Sequence, residues 1–211
     1  MLGFVHVVDD DSAFRIAVER RLKLAGYEVA TYASAEQSLD RLPDDCRPGC
    51  ILLDVRLPGV SGPELQAQLY ELGSTLPIIF FTGFPDIQTT VQAIKAGAED
   101  FLIKPASSDD LLRAIECAFA RYEVTRAKKE ELDAARARVT ALTPRERQVF
   151  ELVVQGKINK QIAYAIGCTE RTIKAHRHQV MEKMQVQSLA ELVAIAERMG
   201  YRPNGPSPHL P

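Results

Sequence analysis

The chain has 211 residues, a formal net charge of −2 and 46% hydrophobic residues. These totals exclude a disordered or fibrous chain and allow one large or two small domains, each with a real core. No apolar run approaches the ~20 residues that a membrane-spanning helix needs. The opening Met1-Leu2-Gly3-Phe4-Val5-His6-Val7-Val8 lacks the basic leader of a signal peptide, so a cytoplasmic protein with no membrane partner is expected.

The near-neutral total hides an asymmetry. Residues 1–125 hold 11 Lys and Arg against 19 Asp and Glu, a net of −8, while residues 126–211 hold 15 against 9, a net of +6. An acidic half joined to a basic half suggests two jobs, and the basic half suits a polyanion. Cys46, Cys50, Cys117 and Cys168 form neither a CxxC pair nor a zinc spacing and read as reduced, mostly packed thiols.

In chain order, Phe4–Val8 is a short apolar run that ends in acid, followed by a weaker run at 28–32. Cys50-Ile51-Leu52-Leu53-Asp54, Pro77–Thr82 and Phe101–Pro105 complete the set. Such runs fit strands buried on both faces of a parallel sheet. Helical patterns lie between them. Phe14, Ile16-Ala17, Arg20-Arg21 and Leu24-Ala25 predict one stripe, closed by Gly26. Ser61-Gly62-Pro63-Glu64 is a capping box ahead of Leu65, Leu69 and Leu72. Ile87, Val91, Ile94 and Ala98 form another stripe, and Ser107-Ser108 opens a last helix through Leu111, Leu112, Ile115 and Phe119. Five strands alternating with helices predict a doubly wound α/β domain with a five-stranded parallel sheet.

Ligands of such domains bind beyond the carboxyl ends of the strands. Asp9-Asp10-Asp11, Asp54, Thr82-Gly83 and Lys104-Pro105 all follow strands. Carboxylates converging there repel one another unless a cation lies between them, and magnesium suits an all-oxygen set. Lys104 supplies a point charge for an anion and Thr82 a hydroxyl donor. Together they describe a site that handles a phosphoryl group. Each piece also has a plain reading: Asp11 is a good helix cap, and a lysine before proline is usually solvated. The joint order favours the site.

The segments Val8-Asp9-Asp10-Asp11, 53–62, Phe81-Thr82-Gly83, 96–101 and Lys104-Pro105 closely resemble the response-regulator receiver domain, over about residues 3–120. The resemblance implies that Asp54 takes a phosphoryl group from a sensor histidine kinase. It implies a magnesium or manganese ion held by Asp10, Asp54 and the backbone carbonyl of Arg56, with Asp9 acting through water. Thr82 and Lys104 would hold the phosphoryl oxygens, and Phe101 would turn inward as Thr82 moves. Two departures fall near the output face: Ala106, where relatives often carry a bulky Phe, and Phe84-Pro85.

Residues 121–142 lack Gly and Pro and favour helix, extending the last receiver helix as a linker over 121–139. Leu132, Ala135, Val139 and Leu142 stand at the spacing of a coiled-coil seam, though a solvated spacer helix fits equally.

Beyond it, Thr143-Pro144-Arg145-Glu146 opens a helix with Val149, Leu152 and Val153 inside and Gly156 at its end. Asn159 is read as the cap of a short helix, Gly167-Cys168-Thr169 as a turn, and 170–184 as a longer helix with Ile173, His176, Val180 and Met184 inward. Ser188–Glu191 caps a last helix. This is a helix-turn-helix outline, whose second helix enters the major groove. Leu142–Val149, Gly156, Asn159–Ala163 and Thr172–His176 resemble the LuxR-type helix-turn-helix, over about residues 140–199.

With the receiver, the chain resembles the FixJ-like branch of response regulators. Carried over by position, Lys174, Ala175 and His178 would contact bases, and Lys160, Thr172 and Arg177 phosphates. His178 and Leu189 depart from commoner residues, and His176 reads as packing. The resemblance implies double-stranded promoter DNA and the kinase as partners and a homodimer when phosphorylated, and allows RNA polymerase as a further partner. An enzyme acting on an outside phosphate ester, and a switch whose basic half binds a protein, are the competing readings. The Pro- and Gly-rich residues 200–211 read as a flexible tail.

Overall fold

The computed structural model describes residues 3–42, 48–83 and 85–201. The expectations for Cys46, Phe84 and residues 202–211 lie outside these; Tyr201, expected in the flexible tail, is instead buried in the helical core of the second unit. The chain divides into two compact units, Met1–Arg126 and Ala127–Pro211.

The first unit is an α/β fold. Strands β1 (Phe4–Val8), β2 (Glu28–Tyr32), β3 (Gly49–Leu53), β4 (Ile78–Thr82) and β5 (Asp100–Ile103) form one parallel sheet in the order β2-β1-β3-β4-β5. Alternate strand residues feed opposite faces. Val5, Val7, Cys50, Leu52, Ile79 and Phe81 share one apolar cluster with Val18, Leu22, Leu111 and Ile115. Ile51, Leu53, Ile78 and Phe80 share the other with Leu65, Leu69 and Ala93. Helix α1 (Ser12–Leu24) and the N-terminal part of α5 (Ser108–Thr140) therefore cover one face, and α3 (Gly62–Glu71) and α4 (Ile87–Lys95) the other. The short α2 (Ala35–Leu39), capped by Ser34 on the Gln37 N–H, has no apolar period long enough to be read in advance.

Two expected stripes are met only in part. On α1 the buried residues are Val18 and Leu22, with Phe14 and Ala25 packed beside them, whereas Ile16 is 67% and Leu24 81% exposed. Residues 14, 18, 22 and 25 stand four, four and three apart and define the inner face; 16, 20 and 24 lie on the opposite side. Ala98, past the end of α4, is buried as expected, but on α4 itself only Ala93 is buried, and Ile87, Val91 and Ile94 face outward. A small residue there lets the helix lie close to the sheet, and its large apolar residues remain uncovered within the unit.

In the second unit the seam residues Ala135, Val139 and Leu142 join Val149, Phe150, Ile162, Ile173, Val180, Met184 and Leu192 in one apolar cluster, with Leu132 against it. They are neither a coiled-coil seam nor a solvated face: they cover the small helical core. That core is built from α6 (Pro144–Val154), α7 (Asn159–Ile166), α8 (Glu170–Met184) and α9 (Leu189–Arg198). Thr143 and Glu146 form the expected capping box, with Glu146 accepting from the Thr143 N–H at 2.8 Å. Glu146 is buried and also accepts from Lys183 Nζ at 2.7 Å, a tie between α6 and α8 that short-range patterning misses. The ammonium, then the Thr143 N–H, hold the Glu146 carboxyl below its ordinary value. α7 begins one residue earlier than expected: Ile158 is its cap, and Gln161 accepts from the Ile158 N–H at 3.1 Å. Gly167 ends α7 at φ 74, a left-handed conformation that costs glycine little, and Thr169 then caps α8. No helix of the described residues is long and apolar enough to cross a membrane.

Candidate phosphoryl site and DNA-binding face

The sheet order reverses direction between β1 and β3, so a crevice opens at their carboxyl ends. Val8 and Leu53, the last residues of the two strands, are register partners. The Asp54 N–H donates to the Val8 carbonyl at 2.9 Å, so Asp9 and Asp54 leave the sheet at the same level. On the other side Thr82 pairs with Ile103, and the Lys104 N–H donates to the Thr82 carbonyl at 2.8 Å. Backbone pairing thus delivers four of the expected residues to one edge.

Lys104 Nζ bridges the two carboxylates, donating to Asp9 Oδ2 and to Asp54 Oδ2, the latter at 2.6 Å. Carboxylate oxygens of Asp9, Asp10 and Asp54 lie within 4.8 Å of one another, with Asp9 and Asp54 buried and Asp10 exposed. Burial raises the Asp9 carboxyl above its ordinary value, outweighing the Lys104 hydrogen bond and charge that pull it down; the Asp54 charge adds to the rise. An all-oxygen set with this excess of negative charge fits a small divalent cation. Thr82 is buried beside them, and Arg56 donates its N–H to Asp54 Oδ1 at 3.1 Å. Gly62 is required close by: a Cβ there would stand 2.2 Å from the Asp54 carbonyl oxygen. Phe101 is half-buried next to Phe80, ring centroids 6.1 Å apart.

Asp11 takes the plain role of a cap, accepting from the Ala13 and Phe14 N–H groups at 2.9 and 3.2 Å. Two residues of α1 join the site without an advance signal. Arg15 Nη1 donates to the Asp9 carbonyl at 2.6 Å, and the Phe14 ring lies under Lys104 Nζ at 4.0 Å. An aromatic in a helix's first turn reads as core; nothing local announces a lysine 90 residues later.

On α8, Arg171, Lys174, Ala175 and His178 follow the 3-4-7 spacing of one helix face and are all exposed, opposite the buried Ile173, Val180 and Met184. His176 is half-buried. Lys160 and Thr172 are also exposed. Arg177 differs: half-buried, it donates to Asn159 Oδ1 at 2.8 Å and ties α8 to α7. That bond, rather than capping, is what Asn159 does.

A five-stranded parallel sheet with a carboxylate-lysine crevice, followed by a helix-turn-helix unit, defines a phosphorylation-controlled DNA-binding regulator. The family described as response regulator receiver domain matches residues 5–116, and that of bacterial regulatory proteins of the luxR family matches residues 140–196. The transcriptional regulatory protein FixJ of Bradyrhizobium diazoefficiens is 41% identical over 94% of this chain and 96% of its own length. The response regulator protein TmoT of Ectopseudomonas mendocina is 40% identical over 92% of this chain and 88% of its own. The solved structure of the response regulator StyR superposes with a TM-score of 0.74 at 43% identity, covering 92% of this chain and 98% of that one. The chain belongs to the two-component response regulators that carry a luxR-type DNA-binding domain, and it is a transcription regulator rather than a classical enzyme.

Proposed function

We propose that Asp54 accepts the phosphoryl group and that its modification switches dimerisation and promoter binding. The observation that carries this is the bridge from Lys104 to both Asp9 and Asp54. A charge already poised between two carboxylates can transfer to the oxygens of a phosphoryl group on one of them. Asp10, Asp54 and the Arg56 carbonyl would hold magnesium or manganese, with Asp9 bound through water. When bound, the ion supplies positive charge against the attacking carboxylate and the phosphoryl oxygens.

Thr82 then donates its hydroxyl to a phosphoryl oxygen, and Phe101, packed only partly, fills the space it leaves. The face that changes carries the uncovered Ile87, Val91 and Ile94 of α4 and Ile103 of β5. An apolar patch of this kind suits a second copy of the chain. Dimerisation sets two α8 helices on half-sites about one helical turn apart. Lys174, Ala175 and His178 read bases, while Lys160, Thr172 and Arg177 hold phosphates; Arg177 keeps further N–H donors beyond the one given to Asn159. A sensor histidine kinase supplies the phosphoryl group, the setting is the cytoplasm, and RNA polymerase is the further partner of an activator.

Sedimentation of the full chain with beryllofluoride tests the switch. With magnesium present the protein is expected to become a dimer, and with EDTA to stay a monomer. A monomer in both conditions contradicts the reading.

A further inference from the structure

We propose that Phe14 is a positioning residue for Lys104: its ring face forms the third wall of the ammonium site, beside Asp9 and Asp54, and steers the ammonium during phosphoryl transfer. The inference rests on the roles given above to Asp54 and Lys104.

Lys104 Nζ has three N–H donors. Asp9 and Asp54 take two. The Phe14 ring lies below the nitrogen, 4.0 Å from centroid to Nζ, with Phe81 farther off at 5.9 Å. A ring face attracts a cation through its quadrupole and offers no lone pair, so it holds the charge without fixing its direction. The lysine needs that freedom. In transfer from a small donor such as acetyl phosphate, Asp54 Oδ forms a new P–O bond as the donor's P–O bond to acetate breaks. The ammonium must then leave the Asp54 oxygen for a phosphoryl oxygen. A hydrogen-bonding wall would resist the move; an aromatic one lets the nitrogen slide across it while water stays out. The lysine side chain is only 16% exposed.

The ring itself is held. Asp11 accepts from the Phe14 N–H at 3.2 Å, and the Phe81 ring meets it edge-on, centroids 5.1 Å apart and planes at 65°. Arg15, the next residue, is anchored on the Asp9 carbonyl. The first turn of α1 is thus tied at both ends to the loop that carries Asp9, and Phe14 moves only if that turn does.

The test is the rate at which acetyl phosphate with magnesium modifies the full chain, combined with a double-mutant cycle. Phe14→Leu keeps the bulk and loses the quadrupole. It is expected to slow modification about three- to ten-fold, the rate equivalent of one cation–π contact. Phe14→Trp is expected to restore the rate, and Phe14→Leu in a Lys104→Ala background to change nothing further. Equal slowing in both backgrounds, or a tryptophan variant as slow as the leucine one, would show a packing role and overturn the proposal.

A second readout does not need the leucine variant to fold. The chain has no tryptophan, so Phe14→Trp gives a single emission signal beside Nζ. That signal is expected to shift on adding beryllofluoride and magnesium, and not to shift when Lys104 is also alanine. The same shift in both proteins would overturn the proposal. An unsubstituted chain that acetyl phosphate leaves unmodified would instead overturn the roles of Asp54 and Lys104, and this inference with them.

Discussion

Asp54→Asn is expected to lower modification by acetyl phosphate at least about 100-fold, to below detection on the wild-type time scale. Three losses combine. An amide oxygen is a poor nucleophile beside a carboxylate. The acidic set loses one of its three charged members and with it much of its hold on a divalent cation. Lys104 loses a charge-assisted partner at 2.6 Å and is left on Asp9. The fold should survive, because the Asp54 charge also helps to raise the Asp9 carboxyl, so removing it relieves repulsion. A phosphate-affinity gel measures the modification, and a thermal melt checks the fold. Wild-type modification of the variant would move the acceptor to another residue.

Phe150→Ala is expected to cost the DNA-binding unit about 3–5 kcal/mol. Phe150 is fully buried at the centre of the helical core, with Tyr201 edge-on at 5.2 Å between centroids. A small domain has only about 5–15 kcal/mol in hand. The melting step of this unit should fall by roughly 15 °C or more, and sequence-selective DNA binding should be lost at 37 °C. Modification at Asp54 should continue at the wild-type rate, because the two apolar clusters of the first unit share no residue with that of Phe150. Calorimetry and the gel assay on one preparation decide it. Loss of both functions together would show that the receiver depends on the helical core.

The parts legible in the sequence are those where composition and position agree. A strand buried on both faces must be largely apolar, so Val5–Val8 (His6 apart) and Ile51–Leu53 announce themselves, and the acid after each marks where the strand ends at the crevice. The crevice follows, since a parallel sheet aligns its carboxyl ends. Helix faces are harder. Ile16 and Leu24 on α1, and Ile87 and Ile94 on α4, are apolar yet exposed, because hydrophobicity alone does not say whether a side chain meets its own core or is left for another surface. Val18 and Leu22 carry the burial on α1, and only their spacing from Phe14 points to it. Leu132, Ala135 and Val139 are ambiguous in the sequence for the same reason: a 3-4 seam fits any apolar partner, and here that partner is the helical core of the same unit. Side-chain ties across the sequence, such as Lys104 on Phe14, Lys183 on Glu146 and Arg177 on Asn159, depend on the packed geometry and leave no local pattern.

The central claim is that chemistry at Asp54 controls DNA reading by α8. Its most direct test is the affinity of the full chain for promoter-containing DNA at one fixed salt concentration, with and without beryllofluoride and magnesium, alongside the Asp54→Asn variant. Salt must be held constant because counterion release alone shifts such affinities strongly. The account predicts tighter, sequence-selective binding for the treated wild type and no response from the variant. Equal affinity in the treated and untreated wild type would contradict it.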